Sequence, residues 1–325
     1  MTNEHVVYDA VRPPESHLSP RWRGGIIPPV CTPLDRDGEV DTQSLERHLR
    51  FLIEAGVSGL FMLGSSGEVA FLTDAQRDAV LRVAVKVSGG QVPELAGAID
   101  MTTRRVVDHA LRAKQLGVDA IVITAPFYAQ VTHPAEMKLH FRVVRDQVCL
   151  PLVAYDIPVA VHTKLERDVV KELAEEGVIE GVKDSSMDMG GLRALLAGTR
   201  HLERFSVLTG SEVLVDCALF FGAAGAVAGL ANVDPHSYVE LYHRCVSGDW
   251  DGARKIQDRL VRLSEVIRCA DVTNKGLSSS ITGGYKTALV LRGIIANNTV
   301  GLPQIALDAD ESAAVRAVLQ REGLL

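Results

Sequence analysis

Val178-Ile179-Glu180-Gly181-Val182-Lys183-Asp184-Ser185-Ser186 is a short apolar run that ends in a lysine and passes into a polar turn. Bounded by turn residues, it reads as a buried strand over 178–183 with Lys183 at its C-terminal tip. Lysine is seldom buried, because its ammonium loses hydration unless something pairs with it. At a strand mouth, desolvation favours the neutral amine, a nucleophile suited to imine formation. Taken alone, the residue reads more simply as a lysine that bends out to solvent or pairs with Asp184. The rest of the chain reverses that reading.

Working outward, the same unit of strand, loop and helix repeats from Gly25 onward. The patterns predict strands at 26–31, 58–63, 93–98, 119–124, 150–155, 178–183, 205–209 and 225–229. Helical periodicity fills the intervals at about 42–55, 73–88, 102–116, 134–147, 166–175, 188–198, 213–221 and 236–247. Asp41-Thr42, Thr73-Asp74 and Thr102-Thr103 supply side chains that accept the free N–H groups of a first helical turn. Gly56, Gly117 and Gly177 each stand just past a helical run and just before a strand. Parallel strands need crossover helices, so these alternations predict an α/β fold, a closed (β/α)8 TIM barrel. The competing open sheet usually carries a Gly-rich turn after its first strand. Here that turn is Pro28-Pro29-Val30-Cys31-Thr32-Pro33. Past 248 the strands stop and helices are predicted at about 250–270, 283–296 and 309–322. The expected organisation is a flexible arm over 1–23, a catalytic barrel over 24–247 and a C-terminal helical bundle over 248–325.

Composition bounds the function. The chain has 325 residues, 47% hydrophobic and 23% charged, as in a soluble globular protein. A net charge of −7 without a basic run gives no footprint for nucleic acid or an anionic membrane. No stretch approaches a membrane span, and the first twenty residues hold no apolar leader core. Five scattered cysteines without a CxxC pair suit a reducing compartment and argue against a zinc site or disulfide framework. A cytoplasmic enzyme without metal or cofactor is the expectation.

In a barrel, chemistry collects at the C-terminal ends of the strands. After the second comes Gly64-Ser65-Ser66-Gly67-Glu68, whose glycines, hydroxyls and N–H groups can cradle an anion, although Gly/Ser turns are common. After the fourth, Pro126-Phe127-Tyr128 puts a phenol on a loop, as a packing residue or a functional one. The fifth ends in Tyr155-Asp156-Ile157-Pro158, and Tyr155 reads either as a proton shuttle or as a core tyrosine. The seventh leads to Thr209-Gly210-Ser211-Glu212. The eighth runs into Gly222-Ala223-Ala224-Gly225-Ala226-Val227-Ala228-Gly229-Leu230-Ala231-Asn232, whose small residues leave room beside a lysine. Glu68 and Asp184 read as structural groups that satisfy loop donors. His133 and His162 have no recognisable partner.

Together, GSSGE at 64–68, PFY at 126–128, YDIP at 155–158, GVKDSS at 181–186 and GAAGAVAGLANV at 222–233 resemble the dihydrodipicolinate synthase / N-acetylneuraminate lyase family. The similarity runs over roughly 24–300 in family order. It implies pyruvate-dependent, imine-forming enzymes built as a (β/α)8 barrel with a C-terminal helical bundle, usually homotetrameric. By that resemblance Lys183 forms the imine with the keto carbon of pyruvate or another 2-oxo acid. Ser65 and Ser66 bind its carboxylate and join the proton relay, and Tyr155 is the acid/base. Tyr128 matches a tyrosine that family members insert into a neighbouring subunit's site. Val227 matches a position whose carbonyl lies near the pyruvyl unit.

The chain also departs from the best-known members. Dihydrodipicolinate synthases carry an arginine two residues past the proline of the tyrosine motif, and Ala160 stands there. An apolar residue cannot make that bidentate contact with a distal carboxylate. N-acetylneuraminate lyases place Asp-Glu after the strand-seven glycine to hold sugar hydroxyls. Here Glu212 keeps one carboxylate, Val213 loses the other, and Gly229 replaces a serine. What remains is an aldolase for another 2-oxo acid, such as a 2-keto-3-deoxy sugar acid or a 4-hydroxy-2-oxo acid. Apolar Val159, Ala160 and Val161 would tolerate a less polar aldehyde portion. The alternatives are a dehydratase of a deoxy-oxo sugar acid using the same imine, a dihydrodipicolinate synthase, and a 2-oxo acid sensor without turnover.

Overall fold

The structure, a computed structural model, describes residues 22–129 and 131–325. Eight parallel strands alternate with helices: β1 Gly25–Ile26, β2 Leu60–Met62, β3 Glu94–Gly97, β4 Ala120–Thr124, β5 Leu152–Asp156, β6 Gly181–Asp184, β7 Ser206–Thr209 and β8 Gly225–Ala226. Their hydrogen-bonded order is β1-β8-β7-β6-β5-β4-β3-β2. The two ends meet just past β1, where Pro29 bridges Phe61 in parallel. Val30 N–H donates to Phe61 O at 2.9 Å and Phe61 N–H to Pro28 O at 3.0 Å. The architecture is of the (β/α)8 type.

The strands are shorter than their apolar runs, for local reasons. Pro28 and Pro29 have no N–H to give a ladder, so the strand expected over 26–31 stops at Ile26 and resumes only as a bridge. In the run that ends at Lys183, the first residues serve the preceding helix Arg167–Glu175. Val178 N–H donates to Leu173 O at 2.9 Å, around Gly177 at φ 71°. That is a glycine-capped helix end, and it leaves β6 to begin at Gly181. The strand expected over 225–229 ends at Ala226, and Gly229–Asn232 forms a 3-10 turn instead.

Of the expected arm, residues 1–21 lie outside the described residues, and its last two belong to the folded body. Trp22 is fully buried against the start of β6, and Arg23 pairs with Glu180 at 2.8 Å. Burying the indole is worth ~2 kcal/mol or more, enough to anchor the chain there.

After β8 and the helix Pro235–Val246 come the helices Trp250–Leu263, Leu277–Leu291 and Ala309–Arg321, with a 3-10 turn at Ser264–Arg268. The second was expected at 283–296. It starts earlier, at Leu277, through serines, threonine and glycines of low helix propensity, because nearly its whole length is buried. Its apolar residues share one core with β1, β8 and Pro235–Val246. The inner barrel residues and the outer helices form another. No helix among the described residues is long and apolar enough to cross a membrane.

Candidate active site

Lys183 on β6 stands in register with Tyr155 on β5 and Leu208 on β7. Residues paired across parallel strands face the same side, so the amine and the phenol ring meet inside the mouth. Lys183 Nζ lies 4.1 Å from the centroid of the Tyr155 ring and 5.0 Å from that of Phe61 on β2. The two rings meet edge to face at 6.1 Å and 83°. Lys183 is buried, and among the described residues its amine makes no ion pair. The simple pairing with Asp184 does not form. Neighbours along a strand point to opposite faces, and the Asp184 carboxylate instead accepts from Ser186 N–H at 2.8 Å and Ser186 Oγ at 2.6 Å.

The loop after β2 brings Ser65 to the phenol. Ser65 Oγ lies 3.4 Å from Tyr155 Oη, a long contact of the kind that tightens when substrate arrives. Ser66 follows, half-buried. Gly64 has to be glycine, since a Cβ there would meet the Phe61 ring at 2.7 Å. Leu63 at φ 57° and Glu68 at φ 59° bracket the loop in left-handed backbone that non-glycine residues seldom adopt.

On β5, Asp156 is buried beside Tyr155 and its carboxylate accepts from Lys164 and from Leu165 N–H. Burial raises its pKa above the ordinary carboxylate range, against the pull of Lys164. This anchor ties back the short helix Pro158–Val161, on which Val159 and Ala160 are exposed at the rim. His162 ends that helix in left-handed backbone, φ 56°.

At β7 and β8, Gly210 N–H donates to Asp184 O at 2.7 Å, and a Cβ at Gly210 would fall 1.9 Å from Ser185 Oγ. Val227 is buried, and its N–H donates to Thr209 O at 2.7 Å. The Glu212 carboxylate accepts from the Tyr285 hydroxyl and from Leu230 N–H. Burial raises its pKa, while Tyr285, the backbone donors and Lys183 act in the other direction. Gly229 lies between the two side chains, where a Cβ would be 2.5 Å from Glu212 Oε1 and 2.9 Å from the Tyr285 ring. Glu212 is thus held by the helix Leu277–Leu291 at the edge of the mouth.

Lys183, Tyr155 and Ser65 are therefore brought together by β6, β5 and the loop after β2, and Ser66 follows Ser65 in that loop. Tyr128 is not part of that group in a single chain: it is 94% exposed, with φ 73°. His133, expected without a partner, caps the helix Pro134–Val148, its ring Nδ1 accepting from Ala135 N–H at 3.2 Å.

Sequence reasoning passed over several residues that shape the site. Phe61 forms half of the aromatic enclosure and had no signal beyond lying in a strand. Asn232 is fully buried and stitches the segment after β1 to the turn after β8, accepting from Cys31 N–H at 3.0 Å and donating to Pro29 O and Gly229 O. Lys286 is fully buried and pairs with Glu68. A lone lysine in Ile281-Thr282-Gly283-Gly284-Tyr285-Lys286-Thr287-Ala288-Leu289 is the same kind of signal that singled out Lys183. Among the described residues, no group of three or more His, Cys, Asp or Glu side chains could hold a metal ion. Burial pushes the Cys31 thiol up to about 12, which leaves it protonated and inert.

The chain is similar to known proteins over most of its length. The Dihydrodipicolinate synthetase family model matches residues 23–322. An uncharacterized DapA-like lyase of Halobacterium salinarum is 35% identical over 93% of this chain and 94% of its own length. A 4-hydroxy-tetrahydrodipicolinate synthase of Methanoculleus marisnigri is 32% identical over 92% of this chain and 99% of its own. Among solved structures, YagE of E. coli K12, a prophage protein of the dihydrodipicolinic acid synthase family in complex with pyruvate, superposes with a TM-score of 0.87. It is 30% identical and covers 93% of this chain and 99% of its own. The chain belongs to the dihydrodipicolinate synthetase family.

Proposed function

We infer that the protein is a Schiff-base lyase of the aldolase type, joining or separating pyruvate and an aldehyde. The observation that carries this reading is the enclosure of the Lys183 amine by the Tyr155 and Phe61 rings, with Tyr155 Oη reaching Ser65 Oγ. An amine in this setting attacks the keto carbon of a 2-oxo acid. Tyr155 gives a proton to the carbinolamine hydroxyl, water leaves, and the protonated imine becomes an electron sink. Cleavage of the bond next to the three-carbon unit then yields an enamine instead of a bare carbanion. Tyr155 takes the proton from the substrate hydroxyl as the aldehyde leaves and returns it to the enamine carbon. Water then hydrolyses the imine to free pyruvate and the lysine. Ser65, Ser66 and the N–H groups of their loop receive the carboxylate and fix the geometry. A positioned acid/base of this kind supplies ~10²–10⁴-fold in rate. The imine itself is the sink, so this chemistry calls on no metal or cofactor.

The rim sets the second substrate. Ala160 offers no charge to a distal carboxylate, which argues against dihydrodipicolinate synthesis. Glu212 is committed to Tyr285 and Leu230, so the one carboxylate retained for holding a polyol is already engaged. We favour an uncharged or apolar aldehyde, delivered from a 2-keto-3-deoxy sugar acid or 4-hydroxy-2-oxo acid. In this reading 24–247 is the catalytic unit, 248–325 its helical support, and the enzyme is a cytoplasmic homotetramer or dimer. The exposed Tyr128 suits insertion into a neighbouring subunit.

The test is incubation with pyruvate and borohydride, followed by intact mass and peptide mapping. A reduced pyruvyl adduct on Lys183 is expected. Its absence would falsify the imine mechanism. Product analysis then separates aldolase from dehydratase, since dehydration keeps the carbon count of the 2-oxo acid.

A further inference from the structure

Lys286 lies in the helix Leu277–Leu291, among serine, threonine, glycine and apolar residues. Its side chain is fully buried and forms an ion pair with the equally buried Glu68. Lys286 Nζ also donates to Thr299 O at 2.7 Å, and Glu68 Oε2 accepts from Gly301 N–H at 2.6 Å. Two segments beyond the last strand, the helix and the turn 299–301, thus grip the residue that closes the serine loop. Glu68 is built into that loop on both sides. Its N–H donates to Ser65 O at 3.1 Å, and its carbonyl accepts from Phe71 N–H at 2.8 Å. Left-handed backbone at a non-glycine residue persists only where the surroundings over-determine it. Ser65 and Ser66 therefore stand between two such residues, Leu63 and Glu68, and the ion pair anchors one of them.

A buried ion pair is a weak source of stability, because the loss of hydration offsets the attraction. Burial holds the Lys286 pKa below that of an ordinary lysine, with Glu68 opposing. Apolar side chains of the same volume would serve a core as well. What the pair adds is direction, through charge-assisted hydrogen bonds of fixed geometry. The preceding residue of the same helix, Tyr285, bonds Glu212 in the loop after β7. Adjacent positions on one helix thereby hold two separate loops at the mouth.

We propose that Lys286 and Glu68 are positioning residues for the imine site, holding the Ser65–Ser66 loop where it receives the carboxylate of a pyruvate unit and where Ser65 meets Tyr155. Neither residue touches substrate. The proposal rests on the imine reading above. The double variant Glu68→Gln with Lys286→Met keeps the side-chain volume and removes both charges, so no lone charge is left in the core. Its thermal midpoint is compared with that of the parent chain. Deuterium exchange into the methyl group of pyruvate is then followed against pyruvate concentration, an assay that needs no aldehyde. The expected result is a folded variant whose KM for pyruvate rises roughly tenfold or more, while kcat for exchange falls by less. A merely structural pair would move the midpoint and leave KM alone. An unchanged KM in the folded variant overturns the proposal.

If the double variant does not fold, Gly301→Ala decides. The added methyl would meet Phe71 Cβ at 2.7 Å, so the turn 299–301 and Phe71 are forced apart, which shifts the Gly301 N–H that donates to Glu68 Oε2 from outside the pair. A raised KM there supports the positioning role, and an unchanged one removes it. The parent chain keeps the two ideas apart. Failure to trap pyruvate on Lys183 in the parent sinks both readings. Trapping by the parent together with unaltered KM in the variants sinks the positioning role alone.

Discussion

Lys183 and Tyr155 stand in register on β6 and β5, and the lysine amine lies 4.1 Å from the centre of the tyrosine ring. The ring is pinned from behind by Phe61, so amine and phenol keep a fixed relation before any substrate arrives. On the proposed mechanism, that relation makes the contributions of the two residues separable by mutation.

Replacing Lys183 removes the nucleophile of the proposed mechanism. Lys183→Ala should lose the borohydride-trapped pyruvate adduct entirely, and pyruvate methyl exchange should fall by ~10³-fold or more. Lys183→Met, which keeps the volume of the stem, should hold its thermal midpoint level or raise it, since a buried amine without an ion pair costs free energy. Residual adduct mapping to another lysine would assign the imine elsewhere.

Tyr155→Phe keeps the ring that packs on Phe61 and deletes only the hydroxyl that reaches Ser65. Exchange should drop by ~10²–10⁴-fold with a normal far-UV spectrum. Wild-type exchange rates in this variant would mean that another group moves the proton.

Gly210→Ala tests how tightly the strand ends are packed. The new methyl would fall 1.9 Å from Ser185 Oγ and 3.2 Å from Asp184 O, just past β6. Over-packing at such a site costs ~1–3 kcal/mol, measurable as a lower urea midpoint. An unchanged midpoint would show that Ser185 gives way freely.

At the opposite end of the barrel, Glu94 makes stability depend on pH. Burial raises its carboxyl to about 7, with Asp119 adding to the effect and Ser88 opposing it. The unfolded carboxyl titrates near its ordinary value, so between roughly pH 4.5 and 7 the folded chain holds a proton that the unfolded chain has released. Stability is therefore retained below that window and falls as pH rises through it, by up to about 3 kcal/mol from this group. Glu94→Gln should be more stable than the parent at pH 8 and nearly equal to it at pH 5. Urea titrations at the two pH values check this, and a constant difference between them would remove Glu94 as the cause.

The fold was largely legible because its signals are local. Helix starts at Asp41, Thr73 and Thr102 cap the helices they were read to open, and Gly117 and Gly177 follow helix ends in left-handed backbone. Strand limits were less legible where one residue serves two elements. The N–H of Val178 goes to the helix before it, and the prolines at 28 and 29 have none to give.

By itself, the sequence determined the alternation of strands and helices, the lysine at the tip of the sixth strand, and the tyrosine and serines at neighbouring tips. Apolar period, turn residues and caps are properties of short segments, and strand ends in a parallel barrel converge whatever the details. Only the tertiary structure decided what surrounds the lysine and what holds the serine loop. Phe61 closes on Lys183 from a strand 122 positions earlier in the chain (183 − 61), and Lys286 reaches Glu68 across 218 (286 − 68). Such contacts follow from where closed strands and packed helices bring distant side chains, and no local pattern encodes them.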